Sequence, residues 1–152
     1  MRFAIDPALL LVIASTTADS WGFGNAMKIL VTDDDRVVRA VMTRMLEACG
    51  HTVLTAENGE RGMAVFRNAQ PDLVITDMVM PEQEGIETIR LIRRERPEAR
   101  IVAMSGDVPD AEFNILAIAR QLGADDAIRK PIAAADLRAL VERFVGAARS
   151  PC

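Results

Sequence analysis

The stretch Lys28-Ile-Leu-Val-Thr-Asp-Asp-Asp35 decides how this chain folds. Ile29 to Val31 is a continuous apolar run rather than an alternating one, and it ends in acids. A short run of this kind reads as a strand buried on both faces. Beyond it, Val37, Val41 and Met45 recur every four residues, as do Val38, Met42 and Leu46. That spacing predicts one broad helix face, with Gly50 closing the helix.

The same unit then repeats. His51–Thr55, Leu73–Thr76, Ile101–Met104 and Ala127–Arg129 read as strands. Asn58-Gly59 marks a turn before a helix carrying Met63, Ala64 and Phe66. Gly85 opens a helix with Ile86, Ile89 and Ile92 inward, and Pro97 ends it. A helix is expected from Pro109 to Leu122, with Ile115, Ile118, Ala119 and Leu122 on its inner face, and another from Asp136 to Ala148. Apolar strands alternating with helices predict an α/β fold, a five-stranded parallel sheet covered on both faces in three layers.

Composition narrows the possible functions. The chain has 152 residues, enough for one domain with a sizeable core. Its 50% hydrophobic and 26% charged residues describe a folded domain rather than a disordered one. The net charge is −4, and residues 27–152 alone hold 17 basic against 20 acidic residues, so no basic DNA-binding unit is hidden. Five Phe, one Trp and no Tyr leave little for base stacking. One histidine, His51, excludes a multi-histidine metal site. Two cysteines, Cys49 and Cys152, make no disulfide framework, which suits a cytoplasmic location. Arg93, Arg94 and Arg96 read as a basic helix end that offsets the dipole.

Residues 1–26 stand apart. Ala8–Ala14 is a seven-residue apolar run, far short of the ~20 residues that span a bilayer. The segment reads as a short helix, Pro7–Ile13, with a linker, or as sequence upstream of a start at Met27. The division expected is an extension over 1–26, a domain over 27–149 and a tail over 150–152.

In open parallel sheets, ligands lie beyond the carboxyl ends of the strands. That rule collects Asp33, Asp34 and Asp35 after the first strand, Asp77 after the third, Ser105 after the fourth and Lys130 after the fifth. Each alone has an ordinary explanation; Asp34 or Asp35, for instance, suits a helix N-cap. Together they gather carboxylates, a hydroxyl and an ammonium on one rim. Crowded carboxylates call for a cation, and hard oxygen ligands favour Mg2+. An aspartate beside Mg2+ is a nucleophile toward phosphorus, with lysine and hydroxyl to hold phosphoryl oxygens.

These residues carry a family resemblance. Ile29-Leu-Val-Thr-Asp-Asp-Asp35, Pro71-Asp-Leu-Val-Ile-Thr-Asp-Met-Val-Met-Pro81 with Gly85, Met104-Ser-Gly106 and Lys130-Pro131 resemble, in order and spacing, the receiver domain of bacterial two-component response regulators. The resemblance implies the flavodoxin-like strand order 2-1-3-4-5. It implies Asp77 as phosphoacceptor and Mg2+ held by Asp33, Asp34, Asp77 and the Val79 carbonyl. Ser105 would be the switch hydroxyl, Lys130 the phosphate partner, and Pro131 would follow a cis peptide bond.

Two residues depart from the family's habits. Ala127 stands where an aromatic reporter often sits, and apolar Val79 is expected to slow self-dephosphorylation. One helix and a tail follow Lys130, so the resemblance points to a stand-alone receiver signalling through protein contacts. Its donor would be a histidine kinase or a histidine phosphotransfer protein. Neither direct DNA binding nor membrane insertion is expected, and a homodimer on phosphorylation is one option. Phe113 and Leu116, opposite the expected inner face of their helix, are the candidate partner surface. Two alternatives fit the same residues: an Mg2+-dependent phosphatase working through an aspartyl phosphate, and an adaptor that keeps the fold without phosphorylation. Against the phosphatase stand Val79, where such enzymes carry an acid, and the want of an inserted cap loop.

Overall fold

The computed structural model describes residues 26–78, 84–106 and 112–148, with side chains left undescribed at 84, 112–116 and 146–148. The expected helix Pro7–Ile13, the residues Val79 and Pro109, and the side chains of Phe113, Ile115 and Leu116 lie outside what is described.

Strands and helices alternate throughout: β1 (Lys28–Thr32), α1 (Arg36–Ala48), β2 (Thr52–Ala56), α2 (Gly59–Ala69), β3 (Leu73–Asp77), α3 (Glu84–Glu95), β4 (Ile101–Ser105), α4 (Glu112–Gln121), β5 (Asp126–Arg129) and α5 (Ala134–Ala148). The sheet order is β2-β1-β3-β4-β5 and every pairing is parallel. Fold class and strand order are therefore those expected.

The sheet sorts its side chains by parity, because successive residues of a strand face opposite ways. Leu30, Val74, Ile101 and Ala103 pack with Met63 and Phe66 of α2, Ile89 and Ile92 of α3, and Ala119 of α4. Ile29, Val31, Leu73, Ile75, Val102 and Met104 pack with Met42 and Leu46 of α1 and Leu137, Leu140 and Val141 of α5. Both faces are covered, so β1, β3 and β4 need no polar alternation.

Local chemistry sets the element ends. Asp35 caps α1, its side chain accepting from the N–H groups of Val37 and Val38. Asn58 caps α2 by accepting from Arg61 N–H. At the end of α1, Gly50 takes a φ of 88°, a conformation that favours glycine, and the N–H groups of Gly50 and His51 donate to Glu47 and Leu46. His51 is thereby used to close the helix, and β2 starts one residue later than expected.

Two expectations about helix faces need correction. Val37 (67% exposed) and Val41 (43%) do not share the burial of Met42 and Leu46. The apolar stripe of α1 is wider than the core it covers. Ile118 is 41% exposed, whereas Ala119 beside it is buried; the short α4 turns only part of its apolar surface inward. Arg93 lies in the last turn of α3, where the dipole reading puts it, and it also makes tertiary contacts. Its guanidinium donates to the carbonyls of Ala99 at 2.6 Å and Gly123 at 3.1 Å, joining α3 to the segments before β4 and β5.

His51 also fixes the start of β1, its Nδ1 accepting the Met27 N–H at 3.1 Å. Partial burial lowers its pKa from the usual 6.5. A folded pKa below the unfolded one means the unfolded chain takes up the proton first as pH falls. The contribution is complete above about 6.5 and is lost as pH drops from there toward the folded value. The urea midpoint should therefore fall between pH 7.5 and 5.5, and His51→Gln should flatten that dependence.

Candidate functional site

All strands being parallel, their carboxyl ends form one edge, and that edge carries the site. Asp33 follows β1 directly, Asp77 ends β3, Ser105 ends β4 and Lys130 follows β5. The rim stays in register because Asp33 N–H donates to Ala56 O of β2, Met78 N–H to Met104 O of β4 at 2.8 Å, and Lys130 N–H to Ser105 O at 2.7 Å. The Lys130–Pro131 peptide bond is cis.

At the centre lies a shared cation. Lys130 Nζ is 2.5 Å from Asp33 Oδ2 and 3.1 Å from Asp77 Oδ2. Both acids are buried, while the lysine is partly covered. Partial burial pulls the Lys130 pKa down. The hydrogen bonds and charges of Asp33 and Asp77 outweigh that pull, and the ammonium titrates above its usual value. Two desolvated carboxylates without a cation would repel each other and each carry a desolvation penalty.

Asp34 is exposed at the mouth, and one carboxylate oxygen each from Asp33, Asp34 and Asp77 lies within 4.8 Å of the others. Oxygens around an octahedral Mg2+ at bonds of about 2.1 Å stand roughly 3–4 Å apart. Three hard oxygen donors at this spacing fit that ion. Val79, the expected carbonyl ligand, lies outside the described residues. The Ser105 hydroxyl, on the same rim, donates to Gly106 O at 3.3 Å. The structure thus brings together Asp33, Asp34, Asp77 and Lys130, with Ser105 at the neighbouring strand end.

Two features escaped sequence reading. Arg39, from the first turns of α1, donates to the carbonyls of Asp33 and Asp34. Val37, Val38, Val41, Met42 and Met45 line an apolar groove of about 370 Å3 together with Lys130, Pro131 and Ile132. The signal for the groove was the excess width of the α1 stripe; Arg39 gave none.

The comparisons agree with this geometry. The response regulator receiver domain matches residues 29–142, and the chain belongs to that family, whose members are phosphoacceptor signalling modules. It is 37% identical over 128 residues to the DNA-binding transcriptional regulator NtrC of Azospirillum brasilense, covering 84% of this chain and 26% of that protein. To the alkaline phosphatase synthesis transcriptional regulatory protein PhoP of Bacillus subtilis it is 31% identical, covering 78% of this chain and 48% of that protein. Among solved structures, a response regulator receiver domain protein from Clostridium thermocellum superposes with a TM-score of 0.73 at 31% identity, covering 82% of this chain and 98% of that one. NtrX from Brucella abortus gives 0.76 at 28% identity, covering 82% of this chain and 28% of that one. The chain therefore spans roughly a quarter to a half of the length of these two curated relatives. Among the described residues no helix is long and apolar enough to cross a membrane.

Gly85 lets α3 lie close against the end of β3. A Cβ there would collide with the Asp77 carbonyl and lie 2.8 Å from Met78 Cα, both of them backbone. Gly85→Ala should therefore destabilise by about 1–3 kcal/mol, the usual cost of overpacking. A lowered urea midpoint with an unchanged slope checks this.

Proposed function

We propose that this chain accepts a phosphoryl group on Asp77 from a phosphohistidine of a histidine kinase or histidine phosphotransfer protein. The observation that carries the reading is the Lys130 ammonium lying between Asp33 and Asp77 beside the exposed Asp34. An Asp77 carboxylate oxygen forms the new P–O bond while the donor's P–N bond breaks, and the leaving imidazole keeps the electron pair. Lys130 is already in hydrogen-bond reach of the acceptor and pairs with a phosphoryl oxygen as charge builds. Asp33 and Asp34, with Asp77, would hold Mg2+, which when bound supplies charge neutralisation for the transferring group. Ser105 turns its hydroxyl from the Gly106 carbonyl to the phosphoryl oxygen, and the rim passes to a second state that partners read.

The acidic balance of the chain, −4, supports output through protein contacts rather than a grip on DNA, and the free Cys49 thiol suits a cytoplasmic setting. The domain proper is taken as 27–149. Incubation with Mg2+ and acetyl phosphate, followed by intact-mass spectrometry, tests the chemistry. One added phosphoryl group is expected, dependent on both Mg2+ and Asp77. Its appearance on Asp77→Asn, or in the absence of Mg2+, would refute the assignment.

The groove between α1 and Pro131-Ile132 suits the donor protein, because Lys130 belongs to both groove and site. An apolar helix seated there brings its histidine to the rim. Val41→Glu should slow transfer from a phosphorylated partner by about tenfold or more, the loss expected when a buried interface anchor is replaced by a charge. Its phosphorylation by acetyl phosphate should match wild type.

A further inference from the structure

The loop from Asp33 to Asp35 has to present two carboxylates to one ion, and its own turn chemistry accounts for only part of its order. Asp35 N–H donates to Asp33 Oδ1 at 2.8 Å, and the Asp35 side chain is occupied in capping α1. Asp33 has further anchors in Ala56 and Lys130. Asp34 is exposed, and its carboxylate reaches the site only if its peptide unit is correctly turned.

Arg39 sets that turn. A single guanidinium nitrogen, Nη1, donates to Asp33 O at 2.7 Å and to Asp34 O at 3.1 Å. Those are the carbonyls of the two residues that supply metal-side carboxylates. The arginine itself is held at its base, since Arg39 N–H donates to Asp35 O and Thr43 Oγ1 donates to Arg39 O at 2.7 Å. The guanidinium therefore bridges the first turns of α1 to the loop, and each peptide plane it fixes limits where the attached carboxylate can point. We propose that Arg39 is a positioning residue for the metal-dependent acceptor site, orienting Asp33 and Asp34 through their backbone. The proposal rests on the phosphoacceptor reading and concerns the metal-binding half of that same site.

Two effects of Arg39 on a divalent cation oppose each other. Order in the loop strengthens binding, because ligands already in place lose less freedom. The positive charge weakens it by repulsion. Removing the side chain therefore gives opposite results according to which dominates. If Arg39 positions, Arg39→Ala binds Mg2+ more weakly; if it acts only as a charge, the variant binds more tightly.

The experiment is titration of the unphosphorylated full chain with Mg2+, followed by NMR shifts of the loop amides. Variants are Arg39→Ala, Arg39→Lys and, as a charge control on the exposed start of α1, Arg36→Ala. Arg39→Ala should lose about tenfold or more in Mg2+ affinity, the loss typical when a group that orients metal ligands is removed. Arg39→Lys should recover most of it, and Arg36→Ala should not weaken binding. With acetyl phosphate, Arg39→Ala should need more Mg2+ for half-maximal rate yet reach the wild-type rate at saturation. Urea midpoints confirm that each variant is folded at the temperature used; should Arg39→Ala fail there, Arg39→Gln takes its place and must bind more weakly than Arg39→Lys. Unchanged or tighter Mg2+ binding by the folded variant overturns the proposal. Mg2+ binding by wild type without any phosphoryl adduct would instead overturn the phosphoacceptor reading and leave the loop result standing.

Discussion

Lys130 places one positive charge between two buried carboxylates, and the arrangement of the rim follows from that need. Removing one partner of a buried ion pair costs about 3–5 kcal/mol, because the remaining charge stays desolvated. Here an absent ammonium would leave two such charges, Asp33 and Asp77, facing each other. The lysine therefore has to arrive at the end of β5, with β5 in register beside β4. Ser105 and Lys130 are joined through their backbones to ensure this. In the proposed transfer, the same cation that permits the acids to be buried meets a phosphoryl oxygen.

The helix α1 serves this rim in three ways. Its core face, Met42 and Leu46, anchors it to the sheet. Its N-terminal turns hold the acid loop through the Asp35 cap and the Arg39 guanidinium. Its outer stripe, Val37 and Val41, remains apolar and open beside Lys130. Cations thus act on the acid loop by different routes: Lys130 on carboxylates and Arg39 on carbonyls. The first neutralises acid charge; the second leaves the Asp34 carboxylate free for another ligand.

Much of this was legible in the sequence because the strands are unambiguous. Ile29–Val31 and Leu73–Ile75 are apolar without alternation, and only a sheet covered on both faces accommodates that. Once the sheet is parallel, the strand-end rule collects Asp33, Asp34, Asp35, Asp77, Ser105 and Lys130; that Asp35 is spent on capping α1 shows only in the structure. What could not be read was anything decided by neighbours distant in sequence. Periodicity marks Val37 and Val41 as apolar but not as exposed, since that depends on whether another element packs on them, and among the described residues they stay 67% and 43% exposed. α5 starts at Ala134 rather than Asp136 because alanines give a helix good propensity and no apolar pattern. Arg39 looks like any charged residue on a helix until the loop carbonyls are seen to face it.

The ion pairs at the centre join residues 97 positions apart for Asp33 and 53 for Asp77. Synthesis runs from the N-terminus, so a growing chain carries every acid of the site well before its lysine is made. In that interval Asp33 and Asp77 lack the ammonium they share in the folded domain, and β4 lacks β5 on its outer side. On the proposed reading, Asp77 becomes a competent acceptor only when β5 docks. On that reading, the domain's own order of synthesis withholds the signal until its fifth strand is made: Asp77 is translated early, and the Lys130 that would license it follows 53 residues later.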